Sequence, residues 1–133
     1  MANSIPEHFQ DLVRDETRAM AVLATTMEDG SPQSTPVWFN MGGSDILINS
    51  AGGRVKDRNM RARPRIALTI IDPRSFERYM QVRGTVVDIT EEGAREHIST
   101  LSKKYRDEDI FVIPEGAVRY IYRIHPDHVS GEN

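Results

Sequence analysis

Short apolar runs bounded by turn-forming residues recur along the chain, and this pattern predicts a mainly β protein. The last run alternates apolar and polar positions, with Tyr120, Tyr122 and Ile124 on one side, as in a strand that buries one face. We assign six segments to strands: residues 19–26, 33–40, 45–49, 65–72, 79–89 and 116–125.

Turn signals indicate how the strands connect. Asp29-Gly30 lies between the first two predicted strands and is typical of a hairpin, because glycine accepts a positive φ. Pro36 has no N–H to donate to a ladder, so its strand should lie at a sheet edge, carry a bulge, or have something other than a strand alongside it. Gly84 should mark a bulge or bend in the long strand 79–89.

Three segments have the capping residues or the spacing of helices. Ser4 is suited to cap a helix that begins near Pro6. A short basic helix should follow Gly53, and a third helix should begin after Thr90. About six antiparallel strands and three helices make a mainly β fold with α, and closure into a barrel removes exposed strand edges. An open sheet packed by helices is the alternative.

Composition narrows the class of protein. With 38% hydrophobic and 28% charged residues, the 133-residue chain is typical of a soluble globular protein, and we expect one domain over residues 1–133. The absence of cysteine excludes disulfides, thiolate nucleophiles and cysteine metal sites. The N-terminal residues lack the basic start and apolar core of a signal peptide, and no apolar run approaches the ~20 residues of a membrane span. We therefore expect a cytoplasmic protein without a membrane span.

Positive charge is concentrated in one segment, although the chain carries a formal net charge of −3. Six of the 17 basic residues fall within residues 54–65: Arg54, Lys56, Arg58, Arg61, Arg63 and Arg65. Gly52-Gly53 precedes them at the end of a predicted strand, and glycine lets the backbone approach a ligand closely. The pattern indicates an anion site, and the alternative is a solvated helix face.

Three side chains of this segment are the candidate anion ligands. Arg54 and Lys56 flank the predicted helix start, where free backbone amides attract anions. Asn59 follows Lys56 by three residues, so its amide should lie on the same helix face. Nucleic acid is the weaker choice of partner, because no aromatic residue is interleaved with the basic ones to stack on bases.

Trp38, the sole tryptophan, stands two residues after Pro36 in a predicted strand. A lone strand tryptophan is more often a core residue than a wall against a planar ligand, so we favour the core. Tyr79 and Met80 either cover a ligand or simply pack.

No catalytic constellation is visible in the sequence. The four histidines are expected at the surface: His8, His97, His125 and His128. His125-Pro-Asp-His128 lacks a third metal ligand, so we expect no metal site. P-loop, nucleophile-elbow and dinucleotide-binding glycine patterns are missing as well. If the protein is an enzyme, a cofactor carries the reaction.

Taken together, the motifs resemble a known family. Gly-x-Pro-x-x-x-Pro-x-Trp at 30–38 is followed by Gly-Arg-x-Lys-x-x-Asn-Met at 53–60, then by Arg-Pro-Arg, a strand that ends in Asp-Pro, and Gly-Thr-Val. This order resembles the pyridoxamine-phosphate-oxidase-like split β-barrels, the FMN-binding-like fold. Within them, the chain is most similar to the flavin/deazaflavin oxidoreductases that use coenzyme F(420). The resemblance runs from about residue 9 to about residue 126.

The resemblance implies a homodimer, with the cofactor ring in a groove between subunits. Arg54 and Lys56 would hold the cofactor phosphate and Asn59 would support them, while the phosphodiester and polyglutamate tail would meet further arginines of the basic helix. With Tyr79 and Met80 included, the expected cofactor-binding residues are Pro36, Val37, Trp38, Asn49, Ser50, Arg54, Lys56, Asn59, Tyr79 and Met80.

The implied activity is hydride transfer from the reduced deazaflavin to a small conjugated substrate, with orientation and exclusion of water supplied by the protein. A proton would come from solvent or from Tyr79. The alternatives are an FMN-dependent oxidoreductase on the same fold and a non-catalytic cofactor- or tetrapyrrole-binding protein. Because pyridoxamine phosphate oxidases carry a further C-terminal tryptophan and an arginine-histidine motif, we do not expect oxidation of a B6 vitamer.

Overall fold

The computed structural model describes residues 5–133, so the predicted Ser4 cap lies outside the described residues. Seven strands are formed: β1 (Met20–Thr26), β2 (Pro32–Val37), β3 (Phe39–Gly42), β4 (Asp45–Ala51), β5 (Arg65–Ile71), β6 (Tyr79–Thr90) and β7 (Arg119–Glu132). The two α-helices are α1 (Val55–Ala62) and α2 (Ala94–Arg106), and 3₁₀ helices span Glu7–Val13 and Asp15–Thr17.

The seven strands make one curled sheet in the order β2-β1-β5-β6-β7-β4-β3, and every neighbouring pair is antiparallel. β2 and β3 occupy opposite edges of this sheet, yet only Trp38 separates them along the chain. A one-residue connection cannot cross an open sheet, because each residue spans at most ~3.6 Å. The sheet therefore curls until its edges meet at Trp38, and the predicted mainly β fold of the split-barrel type is confirmed.

Two predicted segments differ from the structure. The predicted strand 33–40 is two strands, because Trp38 leaves the ladder at the corner where the sheet edges meet. The last strand continues to Glu132, where we expected a polar tail after Pro126, because residues 126–132 pair with β6 from Gly84 back to Tyr79. Backbone hydrogen bonding along β6 thus outweighs the polar composition of this tail.

The turn predictions match the structure. Gly30 has a φ of +89° in the connection between the paired strands β1 and β2. Pro36 lies on edge strand β2. The register of β6 against β7 shifts between Arg83 and Gly84, and a Cβ at Gly84 would lie 2.6 Å from the carbonyl oxygen of His125. Only glycine fits this bulge without a backbone shift.

Alternating strand residues form the core inside the curled sheet. Leu23, Leu68, Ile46, Ile48 and Tyr122 are fully buried there. None of the helices within residues 5–133 is long and apolar enough to cross a membrane.

Candidate functional site

A cavity of about 430 Å³ lies where β1, the β2–β3 corner, the end of β4, α2 and the start of β7 meet. Its volume falls within the roughly 300–1,000 Å³ of small-molecule sites. Seven of the predicted cofactor-binding residues line it: Pro36, Val37, Trp38, Asn49, Ser50, Arg54 and Lys56. A larger groove, of about 660 Å³, runs beside α2 and residues 109–113, and none of the predicted site residues lines it.

Aromatic side chains form one wall of the cavity. The rings of Trp38 and Tyr105 stack with centroids 5.6 Å apart and planes 9° apart. Phe111 meets Trp38 edge-on, at 6.2 Å and 88°. Trp38 is half-buried and faces the cavity, so the core interpretation of this residue is wrong. The wall offers a flat apolar surface of the kind on which planar rings stack.

Three positive side chains, Arg54, Lys56 and Arg119, share the cavity with this wall. None of them makes an ion pair with a carboxylate in the part of the chain that the structure describes. Burial lowers the pKa of Lys56, and the charges of Arg54 and Arg119 lower it further. Burial and the charge of Arg54 likewise lower the pKa of Arg119. Mutual repulsion of this kind is relieved by a bound anion.

The turn that carries Arg54 is held by contacts within the chain. Gly53 has a φ of +87°, and a Cβ at Gly52 would lie 2.7 Å from the ring of Tyr120. Gly53 is therefore needed for the turn and Gly52 for its close packing against Tyr120 of β7. From the sequence, we had expected these glycines to allow a ligand to approach the backbone closely.

Asp57 is buried in the first turn of α1 and links the Gly52-Gly53 turn to the core. Its carboxylate accepts hydrogen bonds from the Gly53 N–H at 2.9 Å and the Tyr122 hydroxyl at 2.6 Å. Arg61 donates a third at 2.9 Å. Although burial acts to raise the pKa of Asp57, these hydrogen bonds outweigh it and the pKa is lowered. The charged carboxylate thus holds the start of α1, the segment that carries Arg54 and Lys56, in place.

A polar chain lies beneath Arg119. Its Nε donates to Asn49 Oδ1 at 2.8 Å, and Asn49 Nδ2 lies 2.9 Å from the Ala94 carbonyl oxygen and 3.1 Å from His97 Nδ1. His97 Nε2 lies 2.9 Å from Asn40 Oδ1. Burial, with the charge of Arg119, lowers the pKa of His97 to about 4. His97 is therefore a buried neutral side chain, and its predicted surface position is wrong.

Three predicted cofactor residues lie outside the cavity. The Asn59 amide is buried and donates to Thr25 Oγ1 at 3.0 Å, and its Oδ1 accepts from Arg63 at 3.1 Å. The structure thus uses Asn59 to join α1 to β1, whereas we expected it to face the ligand beside Lys56. Met80 is a fully buried core residue. Tyr79 is half-buried at the start of β6 and does not line the cavity as a proton donor would.

Arg58, Arg61 and Arg63 of the basic segment also make internal contacts. Arg58 donates to the Gly53 carbonyl oxygen. Arg61 pairs with Asp57 and lies over the Tyr120 ring, 4.6 Å from its centroid. Arg63 donates to the Thr26 carbonyl oxygen at 2.7 Å. Within residues 5–133, the positive side chains that line the cavity are Arg54, Lys56 and Arg119.

Residues far from the basic segment complete the cavity, and the sequence did not single them out as site residues: Met20, Ala21, Val22, Ile98, Tyr105, Phe111 and Arg119. Arg119 reaches the site because β7 pairs antiparallel with β4, which sets Arg119 opposite Ala51. Its only sequence signal is a basic residue at the start of an alternating strand. Such a signal becomes specific only when the strand partner is known.

Comparison with known proteins agrees with this architecture. The family model described as pyridoxamine 5'-phosphate oxidase matches residues 5–132. The chain is similar to a solved structure described as an F(420) reductase, with 32% identity and a TM-score of 0.83 over 95% of this chain and 98% of that chain.

More distant solved structures share the fold. They include the conserved hypothetical protein Rv2991 from Mycobacterium tuberculosis, with 19% identity and a TM-score of 0.73 over 99% of this chain and 86% of that one. General Stress Protein 26 from Bacillus anthracis has 19% identity and a TM-score of 0.64, with 93% of each chain covered. Among the curated proteins, none matches this sequence. The family match over residues 5–132, on a curled antiparallel sheet of the expected type, shows that the chain belongs to the pyridoxamine 5'-phosphate oxidase family.

Proposed function

We propose that this protein is a coenzyme F(420)-dependent reductase that transfers a hydride to a small conjugated substrate. The observation that carries the proposal is that one cavity joins an aromatic wall to three positive side chains, none of which pairs with a carboxylate of residues 5–133. A deazaflavin has the matching chemistry, since its planar ring system is joined through a ribityl chain to a phosphodiester. The 32% identity to a structure described as an F(420) reductase supports the choice of deazaflavin.

The cavity residues match the chemical groups of this cofactor, with an aromatic wall for its ring and positive side chains for its phosphodiester. Arg54, Lys56 and Arg119 would hold the phosphodiester, and Trp38 would lie beside the ring. When bound, the reduced deazaflavin supplies a two-electron hydride and resists oxygen, because carbon replaces the reactive flavin nitrogen. This chain would contribute an apolar aromatic wall and a cluster of positive charges, which orient the reactants and limit the access of water. No side chain of the cavity is assigned as a proton donor, because the Tyr105 hydroxyl already donates to the Ala19 carbonyl oxygen at 2.8 Å.

An FMN-dependent oxidoreductase is the second candidate, and one observation favours it. Arg58, Arg61 and Arg63 bind within the chain, so the cavity presents one positive cluster, which suits the single phosphate of FMN. The homodimer that the resemblance implies, and the cytoplasmic location expected from the N-terminal sequence, are part of the proposal with either cofactor.

Titration of the purified protein with coenzyme F(420) and with FMN tests this choice. Trp38 is the sole tryptophan and lines the cavity, so quenching of its emission reports ring binding directly. We expect coenzyme F(420) to bind at least tenfold more tightly than FMN, a difference of about 1.4 kcal/mol. A tenfold preference for FMN would make the second candidate the function. Binding of neither cofactor at millimolar concentration would contradict both.

A quinone added to the protein loaded with reduced cofactor then separates catalysis from storage. Rapid quinone-dependent oxidation of the bound cofactor is expected of a reductase. A cofactor that stays reduced with every electron-poor acceptor offered would indicate a carrier.

A further inference from the structure

Asn49 lines the cavity and is held by three partners from two elements, α2 and β7. Its amide nitrogen faces the Ala94 carbonyl oxygen at 2.9 Å and His97 Nδ1 at 3.1 Å, both on α2. Its amide oxygen accepts the Arg119 Nε–H from β7 at 2.8 Å. Since Asn49 is 8% exposed, water offers little replacement for these bonds, and the orientation of its amide is set by its neighbours.

The ring of His97 fits this arrangement in one tautomer only. Asn49 Nδ2 is a donor, so His97 Nδ1 must accept, and the ring proton then lies on Nε2. Nε2 donates this proton to Asn40 Oδ1 on β3 at 2.9 Å. Because both ring nitrogens are engaged, His97 presents a fixed acceptor to Asn49, and a flipped Asn49 amide would set its oxygen against His97 Nδ1.

The orientation of Asn49 in turn determines how Arg119 meets the cavity. Arg119 uses Nε for Asn49, and within residues 5–133 its two Nη groups make no hydrogen bond. Phe111 limits the guanidinium from another side, at 5.3 Å from the ring centroid. The Nη groups are thus the free donors of a planar fork whose plane is set by Asn49 and Phe111, and such a fork suits phosphate.

We propose that His97 is a positioning residue of the anion site: through Asn49 it holds the guanidinium of Arg119 in the orientation that receives the phosphodiester. The identification of the anion as the phosphodiester of coenzyme F(420) rests on the proposed function. A charged imidazolium would lie close to the Arg119 guanidinium and could no longer accept from Asn49. The lowered pKa of His97 is consistent with the neutral role.

Two ligands that differ only in the anionic tail distinguish positioning from a structural role. The probes are coenzyme F(420) and the same deazaflavin riboside without its phosphodiester tail. We expect His97→Leu to weaken binding of coenzyme F(420) about five- to tenfold, which is within the usual effect of one ordinary hydrogen bond. Binding of the tail-less riboside should change less than about twofold, because it makes no contact with Arg119.

Polar replacements at the same position provide the matched comparison. His97→Asn retains an acceptor near the place of Nδ1, so its affinity for coenzyme F(420) should stay close to that of the wild type. His97→Gln retains the link to Asn40 but not the acceptor for Asn49, so it should behave like His97→Leu. This pair tests the inference even if the leucine variant does not fold.

The Arg119→Met background is the final control. In that background His97→Leu should cause no further loss of coenzyme F(420) affinity, since Arg119 is the only route by which His97 acts. Equal weakening of both ligands, or an unchanged loss in the Arg119→Met background, would overturn the inference and assign His97 to the packing of α2. If the wild type itself binds the two deazaflavins equally, the anion site is absent and the proposed function fails with it.

Discussion

Lys56 is a cavity side chain whose electrostatic surroundings are unfavourable without a ligand. It is half-buried, and burial together with Arg54 and Arg119 lowers its pKa. An anion at this position would favour the charged ammonium and reduce the repulsion among the three positive charges. Lys56 should therefore contribute to ligand affinity more than to stability.

We predict that Lys56→Ala weakens coenzyme F(420) binding by about 1–3 kcal/mol, because a charge-assisted contact is lost. Arg65→Ala is the matched control: it removes a positive charge from the same basic run, but Arg65 lies outside the cavity. Tryptophan quenching measures both affinities. Equal losses in the two variants would indicate a general charge effect, and wild-type affinity in Lys56→Ala would move the site elsewhere.

His97 should make stability depend on pH. Its pKa is about 4 in the folded protein and 6.5 in the unfolded reference, so between these values the unfolded chain binds more protons. The free energy of unfolding should therefore rise from pH 4 to pH 6.5, and by about 3 kcal/mol from this group alone. Urea unfolding of wild type and His97→Asn over this range isolates the contribution as a difference. A difference that does not vary with pH would contradict the prediction.

At the scale of elements, the connection from β4 to α1 depends on one buried carboxylate. Asp57 holds the Gly53 N–H at the turn and the Tyr122 hydroxyl from β7. A buried acceptor that loses a donor costs more than the hydrogen bond itself is worth. The turn that presents Arg54 is thus stabilised from the core side.

We predict that Tyr122→Phe lowers the free energy of unfolding by about 1–3 kcal/mol, since Asp57 loses its 2.6 Å hydrogen bond while the buried ring is kept. Binding of coenzyme F(420) should weaken as well, because the Arg54 turn becomes less ordered. Tyr120→Phe is the control, as the Tyr120 hydroxyl makes no hydrogen bond within residues 5–133 while its ring supports Gly52 and Arg61. Similar stability in the two variants would argue against this role for Asp57.

Over the whole molecule, Arg78 joins the N-terminal helix to the loop between β5 and β6. It pairs with Asp11 at 2.8 Å and with Asp72 at 3.1 Å. Arg74 and Arg78 hold the pKa of Asp72 well below its ordinary value of 3.8. Phe9, near the centre of that helix, is thereby kept against the core, where it is 2% exposed.

The Asp72 carboxylate should contribute to stability only where it is charged. With its pKa lowered on folding, its contribution is full above about pH 4 and is lost as pH falls further. We predict that Asp72→Asn is less stable than the wild type at pH 7 and that the difference shrinks as pH falls below 4. Guanidinium unfolding measures both, with Asp109→Asn as the control, because Asp109 is an exposed partner of Lys103. A difference that persists at the lowest pH would assign the effect to packing.

Most of the strand and turn architecture could be predicted from local signals in the sequence. The hairpin at Gly30, the edge strand with Pro36 and the bulge at Gly84 follow from the backbone limits of glycine and proline, which act within a few residues. The basic turn with Arg54 and Lys56 was visible for the same reason, since its residues are adjacent in the chain. The predicted position of Asn59 beside the ligand was wrong. Helix spacing indicates which residues share a face of the helix, but it does not indicate which element packs against that face, and here that element is β1.

The amino-acid sequence by itself determined that the chain forms short antiparallel strands and that a glycine turn presents a cluster of positive charge. Only the tertiary structure decided which of those charges face a cavity, because that depends on partners distant in sequence. The pairing of β7 with β4 brings Arg119 to Arg54 and Lys56, and closure of the sheet at Trp38 turns an expected core residue into a cavity wall. Burial beside the cavity lowers the pKa of His97 and keeps its side chain neutral. Burial depends on the residues packed around His97 in the folded protein, and the spacing of residues along the sequence does not reveal it.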